Sequence, residues 1–126
     1  MFVYFNSNPC KVLTDDCAIR AISVVMGTSW KHTFINLCNR GLSICDMPNS
    51  GAAISMYLRE KGFVRKVVPS EDCPSCYTIK DFTIDYPCGT YILATGSHVV
   101  CSINGNYFDT WDSGDETVIY YFAKER

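Results

Sequence analysis

Asn104-Gly105 constrains this chain more than any other feature of its sequence. The pair separates two runs of strand character, His98-Val99-Val100-Cys101-Ser102-Ile103 and Asn106-Tyr107-Phe108-Asp109-Thr110-Trp111. A two-residue hairpin loop favours a type I′ turn, which needs φ > 0 at both central residues, and Asn-Gly meets that need best. The loop length then dictates the pairing: Ile103 faces Asn106, Ser102 faces Tyr107, Cys101 faces Phe108 and Val100 faces Asp109. Side chains alternate along a strand, so His98, Val100 and Ser102 share a face with Tyr107, Asp109 and Trp111. Asp112 falls on the other face, and a slip of one residue would exchange the two aspartates.

Further strands are expected at residues 90–94 and 117–122, on the same period-two pattern. Upstream of residue 62 the pattern is helical. Alternating Phe2-Val3-Tyr4-Phe5 passes through Asn6-Ser7-Asn8-Pro9 into a loop, and Thr14-Asp15-Asp16 supplies N-cap chemistry. Residues 17–26 read as a mostly apolar, buried helix stopped by Gly27. Thr28-Ser29 caps a second helix from Trp30 to about Arg40, with Trp30, Phe34 and Leu37 on one stripe and Gly41 ending it. A third helix spans residues 52–61, opened by Ser50 or Gly51 and ended by Gly62. Residues 63–68 form a strand, and a short helix near residues 78–82 stops before Pro87. Helices followed by an antiparallel sheet make an α+β arrangement. With no repeat, linker or low-complexity tract, residues 1–126 form a single domain.

Composition narrows the function. A chain of 126 residues buries roughly two-thirds of its unfolded surface, enough for a core without disulfide or metal staples. Eleven Lys plus Arg against thirteen Asp plus Glu give a net charge of −2, which argues against a nucleic-acid groove. No apolar run approaches the roughly 20 residues of a membrane span, so no membrane partner is expected. The opening MFVYFNSNPCKV has neither a basic leader nor an apolar h-region. The expected compartment is therefore the cytoplasm, and the eight cysteines are expected to be free thiols, most of them buried. Cys38 and Cys101, among apolar neighbours, fit that pattern. Cys73-Pro74-Ser75-Cys76 is the only C-x-x-C. It lacks the second pair or nearby histidines of a zinc site and the strand-to-helix setting of a redox pair, so it reads as a turn. No metal and no cofactor is called for.

Cys17 differs from the other thiols because it starts a helix. Unpartnered N–H groups and the positive end of the macrodipole there favour a thiolate, the nucleophilic form. Asp15 and Asp16 oppose this, so a nearby imidazolium is required. His98, opening the hairpin strand after Gly96-Ser97, is the candidate. Asp109, diagonal to it on the same face, would fix the ring's tautomer and support its charge, with Asp112 as the alternative third member. His32, one turn into the second helix, has no carboxylate at helical spacing and reads as a surface or capping residue. Arg20, four residues after Asp16, pairs with that aspartate.

Asn8-Pro9, Asp16-Cys17-Ala18-Ile19-Arg20-Ala21-Ile22, Gly96-Ser97-His98-Val99-Val100 and Tyr107-Phe108-Asp109-Thr110-Trp111-Asp112 together carry a resemblance. The chain resembles a small papain-like cysteine peptidase of the compact kind found in bacteria and bacteriophages. The resemblance implies Cys17 as nucleophile, His98 as general base and Asp109 as its orienting group. It also implies a peptide or protein substrate bound between a helical part carrying the cysteine and a sheet carrying the histidine. In this family a glutamine upstream of the cysteine usually completes the oxyanion hole, and this sequence has Lys11 there. Asn8 is the nearest upstream amide and the candidate for the role, alongside the Cys17 backbone N–H. The other reading of Asn8 is a turn former before Pro9. Substrate preference, oligomeric state and the choice between hydrolase, transferase and non-catalytic binding module stay open.

Overall fold

The computed structural model describes residues 1–68 and 77–124. In chain order these form β1 (Phe2–Tyr4), α1 (Cys17–Met26), α2 (Trp30–Ile44), α3 (Gly51–Glu60), β2 (Phe63–Val67), α4 (Ile79–Asp85), β3 (Thr90–Ala94), β4 (Val99–Ile103), β5 (Asn106–Asp109) and β6 (Tyr120–Lys124). The architecture is α+β: four helices and a six-stranded sheet in the order β1-β5-β4-β3-β6-β2.

The hairpin has the register set by its turn. Cys101 pairs with Phe108, Ser102 with Tyr107 and Ile103 with Asn106, and both turn residues have positive φ, 49° at Asn104 and 81° at Gly105. Strand alternation divides the core between two faces of the sheet. Ile92, Cys101 and Phe122 pack with Ile19 and Ile22 of α1, Leu37 of α2 and Leu58 of α3. Their chain neighbours Leu93, Val100 and Tyr121 pack with Ile79 and Phe82 of α4 instead. Three helices therefore cover one face and a short helix the other, and α1 lies against β3, β4 and β5.

Several boundaries differ from expectation for identifiable reasons. The sheet is neither wholly antiparallel nor confined to the second half of the chain, because β1 joins its edge parallel to β5. Gly41 does not end α2. The helix runs on to Ile44 and closes at Cys45, which adopts the left-handed conformation at φ 58°. The glycine serves close approach instead, since a Cβ on Gly41 would lie 2.6 Å from the Asp46 carbonyl oxygen. The last strand starts later than expected: Thr117 forms an isolated bridge to Thr78 outside the ladder, and Val118 and Ile119 donate to Tyr77 and Ala94 before the ladder begins. β5 stops at Asp109 because the Thr110 N–H turns back onto the Asp109 carboxylate.

The free thiols are less buried than expected. Cys101 is buried, and its burial pushes the thiol up to about 12. Cys38 is half-buried, while Cys10, Cys45 and Cys88 are exposed because they sit in loops or at a helix end. Cys73 and Cys76 lie outside the described residues. No helix among the described residues is long and apolar enough to cross a membrane.

Candidate active site

The segment from Asn6 to Asp16 delivers Cys17 to the first position of α1. Asp16 is the N-cap, yet its side chain makes no capping hydrogen bond. Its carboxylate is taken by three donors: Arg20 Nε at 2.8 Å, Trp30 Nε1 at 2.9 Å and Asn8 Nδ2 at 3.2 Å. The first-turn N–H groups of α1, which have no intrahelical acceptors, are thus left without a side-chain cap. They point where an anion would be stabilised.

His98 stands just before β4, held by a tight turn in which its N–H donates to Thr95 Oγ1 and its carbonyl accepts from the Thr95 N–H. Its Nε2 lies 2.6 Å from Asp109 Oδ2. The other ring nitrogen, Nδ1, is left open, and Cys17 shares the walls of the adjoining clefts with the ring. The Trp111 ring covers the imidazole at 5.0 Å between centroids.

Asp109 is buried and fully engaged. Besides His98 it accepts from Ser113 Oγ at 2.7 Å, the Thr110 N–H at 2.8 Å and Arg20 Nη1 at 2.9 Å. Burial alone would raise its pKa, but the hydrogen bonds from His98, Ser113 and Arg20 and the charge of His98 hold it below the usual carboxylate value. Burial likewise works against the charged form of His98. The hydrogen bond and charge of Asp109, with a smaller contribution from the neighbouring Cys17, outweigh it and raise the ring's pKa from 6.5 to about 9.

That shift fixes a pH dependence. A histidine with a raised pKa in the folded state contributes stability fully below its unfolded value and loses it as pH rises through the folded one. The urea unfolding midpoint is therefore expected to fall between about pH 6.5 and 9. His98→Gln should flatten this alkaline limb relative to the parent. Equal slopes in both proteins would contradict the assignment.

The geometry sorts the candidates. Cys17, His98 and Asp109 are brought together. Asp112 is not: exposed, it accepts from the Tyr107 hydroxyl and the Gly114 N–H. Asn8 is buried, with its amide on Asp16, its side-chain oxygen accepting from the Cys10 N–H, and no place in the lining of the cavities around Cys17. It shapes the turn rather than facing the sulfur. His32 is exposed on α2. Among the described residues no group of His, Cys, Asp and Glu could hold a metal ion.

Two contributors and one further contact were not visible in the sequence. Arg20 pairs with Asp16 as its spacing suggests, but the same guanidinium also reaches Asp109, 89 positions away. Trp30 and Ser113 bond carboxylates on other elements or loops, and no local pattern marks either. Two clefts flank the Cys17–His98 pair and share it in their walls. One, of about 410 Å³, is lined among others by Leu13, Asp15, Arg20, Thr110 and Trp111. The other, of about 270 Å³, runs past Asn49, Gly51, Gly96 and Tyr120.

An uncapped helix start bearing a thiol, an imidazole oriented by a buried carboxylate, and a groove passing both are the parts needed for acyl transfer through a thioester. No family model, curated protein or solved structure matches the chain.

Proposed function

We propose that this chain is a papain-like cysteine peptidase that hydrolyses an amide bond of a peptide or protein. The observation that carries the reading is the shared wall of Cys17 and His98 between the two clefts, with Asp109 on the far nitrogen of the imidazole. In the proposed reaction the Cys17 thiolate attacks the carbonyl carbon, and the oxyanion forms beside the uncapped N–H groups of α1. His98, as imidazolium, protonates the departing amine, which leaves a thioester on Cys17. Neutral His98 then takes a proton from water, the hydroxide attacks the thioester, and the carboxylic acid departs as the thiolate is restored. Asp109 holds the tautomer and supports the ring's positive charge. A thiol nucleophile stays reduced in the cytoplasm, the compartment this chemistry suits.

Asn8 favours a second reading. With its side chain outside the walls of both clefts and its amide turned onto Asp16, Asn8 leaves the oxyanion to backbone donors, and one missing donor typically costs about 10²–10³ in rate. A chain of this shape that binds peptides without cleaving them is the alternative.

Turnover of a fluorogenic peptide amide separates the two. The peptidase reading expects Asp109→Ala to lower kcat/KM by about 10²-fold or more and Asp112→Ala to change it by less than about threefold. No turnover by the parent protein, or a larger loss in the Asp112 variant, would refute it.

A further inference from the structure

The clefts carry an unbalanced charge. Asp15 is exposed and lines both halves, and no described residue pairs with its carboxylate. The other charges at the site compensate one another. Arg20 bridges Asp16 and Asp109, and His98 completes the pairing of Asp109. No lysine lines either half, and Arg20, the one arginine there, is already engaged at Nε and Nη1. The larger half also has apolar walls: the side chains of Leu13 and Trp111, both substantially exposed, stand in it with Asp15.

We propose that Asp15 is a specificity-determining residue, selecting substrates with a Lys or Arg side chain next to the bond that is cut. The inference rests on Cys17 being the reacting group and names the substrate class of that same site. A long basic side chain suits this half because its methylene stem covers Leu13 and Trp111 while its charged head reaches the carboxylate. The Trp111 face adds a second attraction for the cation. An acidic side chain in the same place meets Asp15 with like charge and no compensating base.

Two measurements test this, and the first needs no turnover. Cys17 is modified with a cationic trimethylammonium-ethyl methanethiosulfonate and, separately, with its anionic sulfonatoethyl counterpart. In each case the thiolate displaces methanesulfinate and forms a mixed disulfide. Non-reducing tryptic digestion after Lys11 and Arg20 isolates residues 12–20, in which Cys17 is the only cysteine. The cation-to-anion rate ratio, divided by that of 2-mercaptoethanol, reports the local field and cancels any change in thiolate fraction. It is expected to exceed unity and to fall by about threefold or more in Asp15→Asn. In the second measurement, peptide amides carrying Lys, norleucine or Glu beside the scissile bond are compared. Lys is expected to lead norleucine by about tenfold in kcat/KM, a lead that Asp15→Asn largely removes.

A reagent ratio unchanged in Asp15→Asn overturns the inference, even if peptides are cleaved and the peptidase reading stands. A ratio that falls while no peptide is cleaved supports a cation-selective cleft and refutes hydrolysis. Equal turnover of Lys and norleucine peptides by the parent protein also overturns the inference.

Discussion

Cys17→Ala is expected to lower peptide turnover by at least about 10⁴-fold, the scale on which loss of a covalent nucleophile is felt when its partners remain. The fold should survive. Cys17 is only half-buried at a helix start, and alanine suits the first turn of a helix. The same variant bears on reactivity. Exposure alone ranks Cys10, Cys45 and Cys88 ahead of Cys17, whereas activation by the helix start and His98 ranks Cys17 first. Mass spectrometry after a limiting dose of iodoacetamide is therefore expected to find the label on Cys17, and to find it gone in the variant. Full activity in Cys17→Ala, or first labelling at any other thiol, would remove the basis for a thiol mechanism.

The largest stability effect is expected at Arg20. Its guanidinium lies between two buried carboxylates, 2.8 Å from Asp16 and 2.9 Å from Asp109, and it also reaches Thr110 Oγ1. Replacing it with methionine keeps much of the volume but leaves Asp16 with only the neutral donors Trp30 and Asn8 and Asp109 with His98, Ser113 and the Thr110 N–H. Removing one partner of a buried ion pair costs about 3–5 kcal/mol, a large share of the roughly 5–15 kcal/mol that holds a typical domain together. Arg20→Lys keeps the charge but not the fork that serves both acceptors, so it should fall between parent and Met variant. Urea unfolding of the three proteins is the measurement. A Met variant within about 1 kcal/mol of the parent would mean that water, rather than Arg20, satisfies these carboxylates.

How far the chain could be read beforehand depended on the range of each interaction. The hairpin was readable because Asn104-Gly105 and the strand period act over a few residues, and that register singled out Asp109 over Asp112. Helix α1 was equally plain, from the apolar run to Gly27 in the left-handed cap. Gly41 shows where local reading fails. A glycine that ends a helix and one that admits a neighbouring backbone look the same in sequence, and only the approach of Asp46 tells them apart. Asn8 is similar: its amide could be assigned to an oxyanion until its side chain was seen to bond Asp16 and to lie outside the walls of both clefts. Asp16 itself looked like a helix cap; its pairing with Arg20 followed from the spacing of four, but its bonds to Trp30 and Asn8 could not be foreseen. Contacts such as Arg20 to Asp109 join distant segments, and no spacing rule reaches that far.

The position of β6 also bears on when the site can exist. The last strand to be synthesised among those described does not lie at an edge of the sheet but between β3 and β2. Until residues 120–124 have left the ribosome, β2 has no described neighbour in the sheet, and β3, which leads into the His98 turn, is paired on one side alone. A nascent chain therefore carries Cys17 and His98 before the sheet that holds the His98 turn is complete.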